Sequence, residues 1–436
     1  MRDGGEKQAW KVTALTDEGV TVYASPDPKH IFVSSPSVLA FPSGRLVAVV
    51  DLVGPGVRKL PGDKGQLASS RHWVQGKIFV SRDEGQSWAF KGDFPFCQAR
   101  LFLHGNTLYL LGHCGTVMIM RSSDGGESWG KPAALTRESE PGICTMQCRG
   151  NILESDGRVY LAIMVQTDTA ARGSANSSAA PVVMRADVSS NLMNAGSWSF
   201  SQPVTPFRDL VPFGRLDYGG LPFFNVKSAD QDSDVGGGRW AGRMGWGDPV
   251  LQRITDPDHA WHDAKGITLH LLARAYTHRS NFAGLARIRE DASGAMELSL
   301  QSTPARKNVA FLPIPGGHLR FDVLHDDVSG LYWLLSAQTT DSMIRPKRLP
   351  KERIGLPCDE SARLQLHFSR NLVDWCFAGL VCVSDAEGES LSCGGMAIGG
   401  NDLSVLTAVG AGGSNSPDDA VRIVHQRIAD FRDLAY

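Results

Sequence analysis

Apolar residues in this chain fall in short runs of strand length. Ser37–Asp51, Lys77–Ser81, Thr107–Gly112, Val117–Arg121 and Arg158–Val165 are rich in aliphatic and β-branched residues. Thr268–Ala273, Tyr332–Ser336, Leu364–Ser369 and Leu403–Val409 continue the pattern. The runs are bounded by Gly, Asp, Asn or Pro, the residues that turn a chain between strands. A long stretch with apolar residues at i, i+3, i+4 and i+7 is missing, so the pattern predicts an antiparallel meander with little helix. Two stretches interrupt it. Phe207–Gly247 is rich in Gly and Asp, and Arg345–Glu360 is basic with three prolines. Both read as long loops on a repetitive β scaffold, where binding sites gather.

The decisive signal is an internal repeat. Ser81-Arg-Asp83-Glu-Gly85-Gln-Ser87-Trp88 recurs as Ser122-Ser-Asp124-Gly-Gly126-Glu-Ser128-Trp129, 41 residues later, and each copy follows a β-rich run. A worn copy is Ser369-Arg-Asn371-Leu-Val-Asp374-Trp375, and a fourth trace runs from Ala186-Asp187 to Ser197-Trp198. The chemistry is that of a hairpin corner. A short acidic side chain caps backbone N–H groups, Gly takes a positive φ, and Trp tucks under the turn.

These copies resemble the Asp-box repeats of the sialidase-like β-propellers. The resemblance implies an all-β, six-bladed propeller filling 1–436 as one domain, with loops inserted near 207–247 and 345–360. Six blades give about 73 residues each, and seven remain possible. The repeats speak for fold and not for activity, which belongs to the propeller's centre. There the family has three carboxylate-gripping arginines, an acid/base Asp and a Tyr nucleophile assisted by Glu. Ser34 stands where the first arginine is expected, and Asp63 matches the acid/base position. Asp248 in Gly247-Asp248-Pro249-Val250 replaces the Glu, Arg274 matches the second arginine, and Arg363 is a candidate third. No tyrosine lies between Tyr332 and Tyr436, so the nucleophile has no counterpart on the last blade. The resemblance therefore implies a divergent member working on another sugar.

Composition narrows the function further. Charge nearly cancels, with 44 Lys+Arg against 46 Asp+Glu, which excludes binding to nucleic acid by bulk charge. No apolar run approaches the roughly 18 residues needed to cross a membrane. The eight cysteines form no C-x-x-C pair, so they read as reduced, buried thiols, with no metal site and no cofactor expected. The start, MRDGGEKQAW, has no signal-peptide pattern, so the location is cytoplasmic by default, or periplasmic or secreted if a leader was removed.

Three clusters hold candidate chemistry. The first is Asp248–Asn281, with His259 and Asp263 for proton transfer and Trp246 and Trp261 flanking them as sugar-stacking rings. The second is Gly316–Asp322, where alternation puts His318, Arg320 and Asp322 on one strand face, followed by Asp341 and Arg345. The third is His113, at the end of an early strand. The reading is a glycan-active enzyme, an exo-acting glycoside hydrolase on an acidic or deoxy sugar. Asp63, His113, Asp248, His259, Asp263 and His318 would handle protons. Arg274, Arg320, Asp341, Arg345, Arg363, Trp246 and Trp261 would hold a glycoside or oligosaccharide. Two alternatives stay open: a polysaccharide lyase eliminating at a uronate, and a carbohydrate-binding propeller without chemistry. Oligomeric state is open.

Overall fold

The computed structural model describes residues 13–16, 19–67, 72–136, 144–167, 178–202, 204–211, 233–236, 239–241, 244–276, 281–303, 306–339, 344, 348–350, 361–384, 389–410 and 419–436. Six antiparallel sheets stand around a central channel as the blades of a β-propeller. Blade I is Phe32–Ala40, Leu46–Val53, Trp73–Ser81 and Ala89–Phe94. Blade II is Cys97–His104, Thr107–His113, Val117–Ser122 and Ala133–Ala134. Blade III pairs Ile152–Ser155 and Cys144–Gln147 with Arg158–Gln166, followed by Ala179–Asp187 and Trp198–Phe200. Blade IV is Trp246–Arg253, Ile267–Ala275, Phe282–Glu290 and Met296–Ser299, and blade V is Phe321–Asp326, Leu331–Gln338, Arg363–Ser369 and Cys376–Val383. Blade VI is Leu391–Gly399, Asp402–Gly410 and Ala420–Ile428, and Val20–Ala24 from the other end of the chain supplies its outer strand. That pairing closes the ring, and nothing in the sequence pattern announced it.

Each blade buries both faces against its neighbours, which is why the second strands read as nearly continuous apolar runs. The six hydrophobic clusters lie between successive blades. Val47, Val49, Ile78 and Val80 of blade I, for example, meet Leu108 and Leu110 of blade II. The inner edges face the channel and are stitched by side chains that satisfy the neighbouring backbone. Leu101 N donates to Ser37 Oγ (3.3 Å), Asn151 brackets both backbone groups of Leu251 (2.7 and 2.9 Å), Gln252 Nε2 donates to Val323 O (2.8 Å), and Met396 N donates to Asp322 (3.0 Å).

The repeat turns connect the third and fourth strands of their blades. Ser81 Oγ accepts from Gly85 N (2.8 Å) and donates to Asp83 Oδ1 (2.7 Å), which also accepts from Ser87 N (2.9 Å). Ser122, Asp124, Gly126 and Ser128 repeat the pattern. Each turn also leans on the preceding blade. Arg45 of blade I holds Asp124 O and Glu127, and His259 of blade IV bonds Asn371 O (2.9 Å). Gly85, at φ +89°, lies so close to the blade VI ring of His425 that a Cβ would sit 2.0 Å away. The fourth trace occupies the same corner of blade III with different chemistry. Asn191 and Asn194 cap its backbone, while Asp187 pairs with Arg158 and Arg185.

The stretch 207–247 read as loop. Its described part holds a short helix, Phe207–Leu210, and a hairpin of Ser233–Gly236 with Arg239–Ala241. Cys97, Cys148, Cys376, Cys382 and Cys393 are free thiols.

The C-terminal turn locks blade VI to blade V. Phe431 is buried edge-on to Trp333 at 4.9 Å, and Arg432 grips the buried Asp326 carboxylate with two 2.8 Å bonds. Removing one partner of a buried pair strands the other charge. Arg432→Ala should therefore lower unfolding stability by about 3 kcal/mol, with Arg432→Lys intermediate. Denaturant unfolding measures it, and a loss within about 0.5 kcal/mol, as at ordinary surface sites, would remove the locking role.

Candidate active site

One end of the channel collects distorted backbone. The inner strands begin there with breaks in register, between Ser34 and Ser37, Cys97 and Arg100, Gly247 and Val250, and Cys393 and Gly395. Ser35, Gln98 and Asp248 carry φ of +47°, +52° and +48°, a region costly for non-glycine residues. Bulges and strained residues re-aim side chains, and they gather at functional sites. The second strands end at the same face, bringing Asp51, His113 and Arg274.

Charge is concentrated around Asp248, which is 7% exposed. Guanidiniums from three blades surround its carboxylate: Arg149 at 3.7 Å, Arg320 at 3.7 Å and Arg274 at 3.9 Å. Arg274 is itself held by His318 O (3.2 Å) and stacks on Tyr276 at 4.4 Å. Below them Arg100 is anchored to Pro36 O (2.7 Å) and Arg149 O (2.8 Å), and it interacts electrostatically with Asp51, Asp248 and Asp322. Burial lowers its affinity for the proton and raises that of the Asp322 carboxyl, which Arg100 opposes. Four guanidiniums thus face three carboxylates, leaving one positive charge when all are ionised.

Beside this group lies a pocket of about 220 Å³ lined by Ser34, Asp51, Val53, Gln98, His113 and Arg149, among others. Asp51 is fully buried. One oxygen accepts from Gln98 N at 2.5 Å, and the other, Oδ1, has no hydrogen-bond partner among the described residues. Burial pushes the Asp51 carboxyl up to about 7, against the pull of Gln98 N–H, Arg149 and Arg100. Gln98 also orders His113. Its Oε1 accepts from Cys148 N (2.8 Å), so the 3.2 Å contact from His113 Nε2 makes that nitrogen the donor. A neutral His113 then carries its lone pair on Nδ1. A larger channel of about 640 Å³ runs beneath, past Arg100, Arg149, Asp322 and Cys393 toward the opposite face. Among the described residues no three His, Cys, Asp or Glu side chains are grouped to hold a metal.

The structure brings together Asp248, Arg274, Arg320, His318 and His113 at this end of the channel. Asp63 lies on the same face, exposed on the loop between the second and third strands of blade I. Arg363 opens the third strand of blade V, two strands out from the channel. Asp341 and Arg345 fall outside the described residues.

The rest of the first cluster does not join. The turn 254–266 leaves the far end of Trp246–Arg253, and five extended residues put it about 17 Å from Asp248. His259 there accepts from Trp261 N (2.9 Å) and bonds Asn371 O, so it is a blade staple. Asp263 caps its own turn through Lys265 N, Gly266 N and Thr268 Oγ1. Trp261 stacks on His270 at 5.4 Å. Trp246 is wholly buried, edge-on to Phe207 at 5.0 Å, and has no face for a sugar.

Asp51, Gln98, Arg100 and Arg149 escaped the sequence reading. Only Asp51 left a signal there: a lone carboxylate inside the apolar strand Leu46–Val53.

No family model and no curated protein sequence matches the chain. Its fold is similar to that of Trypanosoma rangeli sialidase in complex with sialic acid, with TM-score 0.51 and 12% identity over 97% of this chain. The chain spans 59% of that sialidase's length. A Dyadobacter fermentans protein of unknown function gives TM-score 0.52 at 12% identity, over 94% of this chain and 98% of that one. Penicillium chrysogenum α-L-arabinanase complexed with arabinobiose gives 0.48 at 12% identity, over 96% and 99%. At such identity the likeness is one of fold.

Proposed function

We propose that this protein is a glycan-active enzyme, an exo-acting glycoside hydrolase that takes an acidic sugar at the strained end of its channel. The observation that carries the reading is Asp51: a fully buried carboxyl, pushed up to about 7 by that burial, lining a pocket beside an arginine group. Such a group is suited to protonating a departing glycosidic oxygen. Hydrolysis also needs a base or nucleophile, and we assign that role to Asp248. The surplus guanidinium charge favours an anionic sugar, whose carboxylate can take two parallel bonds from one arginine. A pocket of about 220 Å³, close to one sugar ring in size, supports attack on a terminal residue. A neighbouring propeller solved with sialic acid agrees with a carbohydrate partner.

A second reading has one specific observation behind it. His113 and Arg149 line the same pocket. An arginine that neutralises a uronate carboxylate beside a neutral imidazole is the pairing that β-elimination needs.

One experiment separates the two. The protein is incubated with aryl glycosides of acidic and neutral sugars and with uronate oligosaccharides, and sugar release and ultraviolet absorbance are followed together. The hydrolase reading expects release of acidic sugars without new absorbance. Absorbance from an unsaturated uronate would assign elimination instead, and turnover of neutral glycosides alone would contradict the role given to the arginines.

A further inference from the structure

Asp51 and Asp248 both interact with the same guanidinium, that of Arg149. A sugar carboxylate entering beside Arg149 becomes one more anion near that guanidinium. It also comes close to the buried carboxyl of Asp51, a residue that lines the same pocket. If both groups were ionised, two anions would repel each other across the pocket. With a proton on Asp51 that repulsion is lifted, and the site's positive balance grows by one.

The groups facing Asp51 are few. Blade II contributes Arg100, His113 and the thiol of Cys97, and blade III contributes Arg149. Its own blade contributes the hydroxyls of Ser34 and Ser35. The cations hold the empty site's Asp51 partly ionised, and a bound anion tips it toward the acid. The proton comes from solvent and no covalent bond changes.

We propose that binding of a sugar monocarboxylate at this site takes up one proton, carried by Asp51, so that affinity is gated by pH. The inference rests on the pocket being the ligand site and not on any turnover, so it can stand or fall apart from the hydrolase reading. Calorimetric titration of the full chain with D-glucuronate and with N-acetylneuraminate, from pH 5.5 to 8.5 in buffers of different ionisation enthalpy, tests it. The expected association constant is flat at the acid end and falls about tenfold per pH unit above 7, with uptake approaching one proton at pH 8. Asp51→Asn, a near-isostere, should bind with little pH dependence and no uptake, while His113→Gln keeps both. Affinity independent of pH in the wild type, uptake that persists in Asp51→Asn, or uptake lost only in His113→Gln would each overturn the inference. So would the absence of heat from either sugar acid at every pH. Proton-linked binding without sugar release would instead remove the hydrolase reading alone.

Discussion

Asp51→Asn should reduce turnover of acidic glycosides by about 10²- to 10⁴-fold, the range associated with losing a general acid. The substitution keeps size and shape, so folding should be preserved. Asn can still accept from Gln98 N, and the penalty of burying a carboxyl is relieved. Wild-type rate should carry the signature of the same group. A carboxyl pushed up to about 7 holds its proton below that value, so activity falls as pH rises through neutrality. The measurements are kcat and KM against pH, with circular dichroism to confirm the fold. Loss confined to KM would make Asp51 a binding group only. Unchanged kcat would take the acid role away.

The second large effect is on stability. His270, His367 and His425 are buried, and burial depresses each to about 4. Their unfolded value is near 6.5, so between those limits the unfolded chain binds more protons than the folded one. Stability is then complete above about 6.5 and drains away as pH falls toward 4. Each histidine contributes up to about 3 kcal/mol. Asp51 acts in the opposite sense, because its folded value is raised and its contribution weakens as pH climbs to 7. The fold should therefore be most stable near neutrality and lose denaturant resistance steeply between pH 6.5 and 4. His367→Gln should flatten that slope by about half, since it removes one of three comparable groups and Asp51 already offsets another. A midpoint unchanged from pH 7 to 4.5 would show that these rings are already protonated or solvated in the folded state.

The fold was legible because its signal is local. Ser81–Trp88 and Ser122–Trp129 carry every group of their turns within eight residues, so spacing alone places the corner of a blade. Ring closure by Val20–Ala24 was hidden, because pairing across the two ends of a chain leaves no local trace. The site is assembled differently. Asp51, Gln98, Arg149, Asp248 and Arg320 come from five blades, each from a strand end, and no spacing connects them. Asp248 was found through resemblance; Arg320 was found too, but the strand alternation invoked for it fails, because the strand starts at Phe321 and leaves His318 and Arg320 in the turn before it. Arg100 sits in an ordinary strand and Arg149 in a short connection between two strands, and neither could be told from a surface cation. The cluster around His259 misled for the converse reason. Its polar residues are close in sequence to Asp248, yet an extended strand carries them to the opposite end of the blade.

The central claim is that Asp51 delivers a proton to a glycosidic oxygen, and the leaving group tests it most directly. Rates for wild type and Asp51→Asn are compared on aryl glycosides of one acidic sugar, from the poor leaving group phenol to the good leaving group 2,4-dinitrophenol. The account predicts that the variant loses activity on the phenyl glycoside and largely recovers it on the dinitrophenyl one, which departs without a proton. Equal losses on both, or equal rates for the two proteins on the phenyl glycoside, would contradict it.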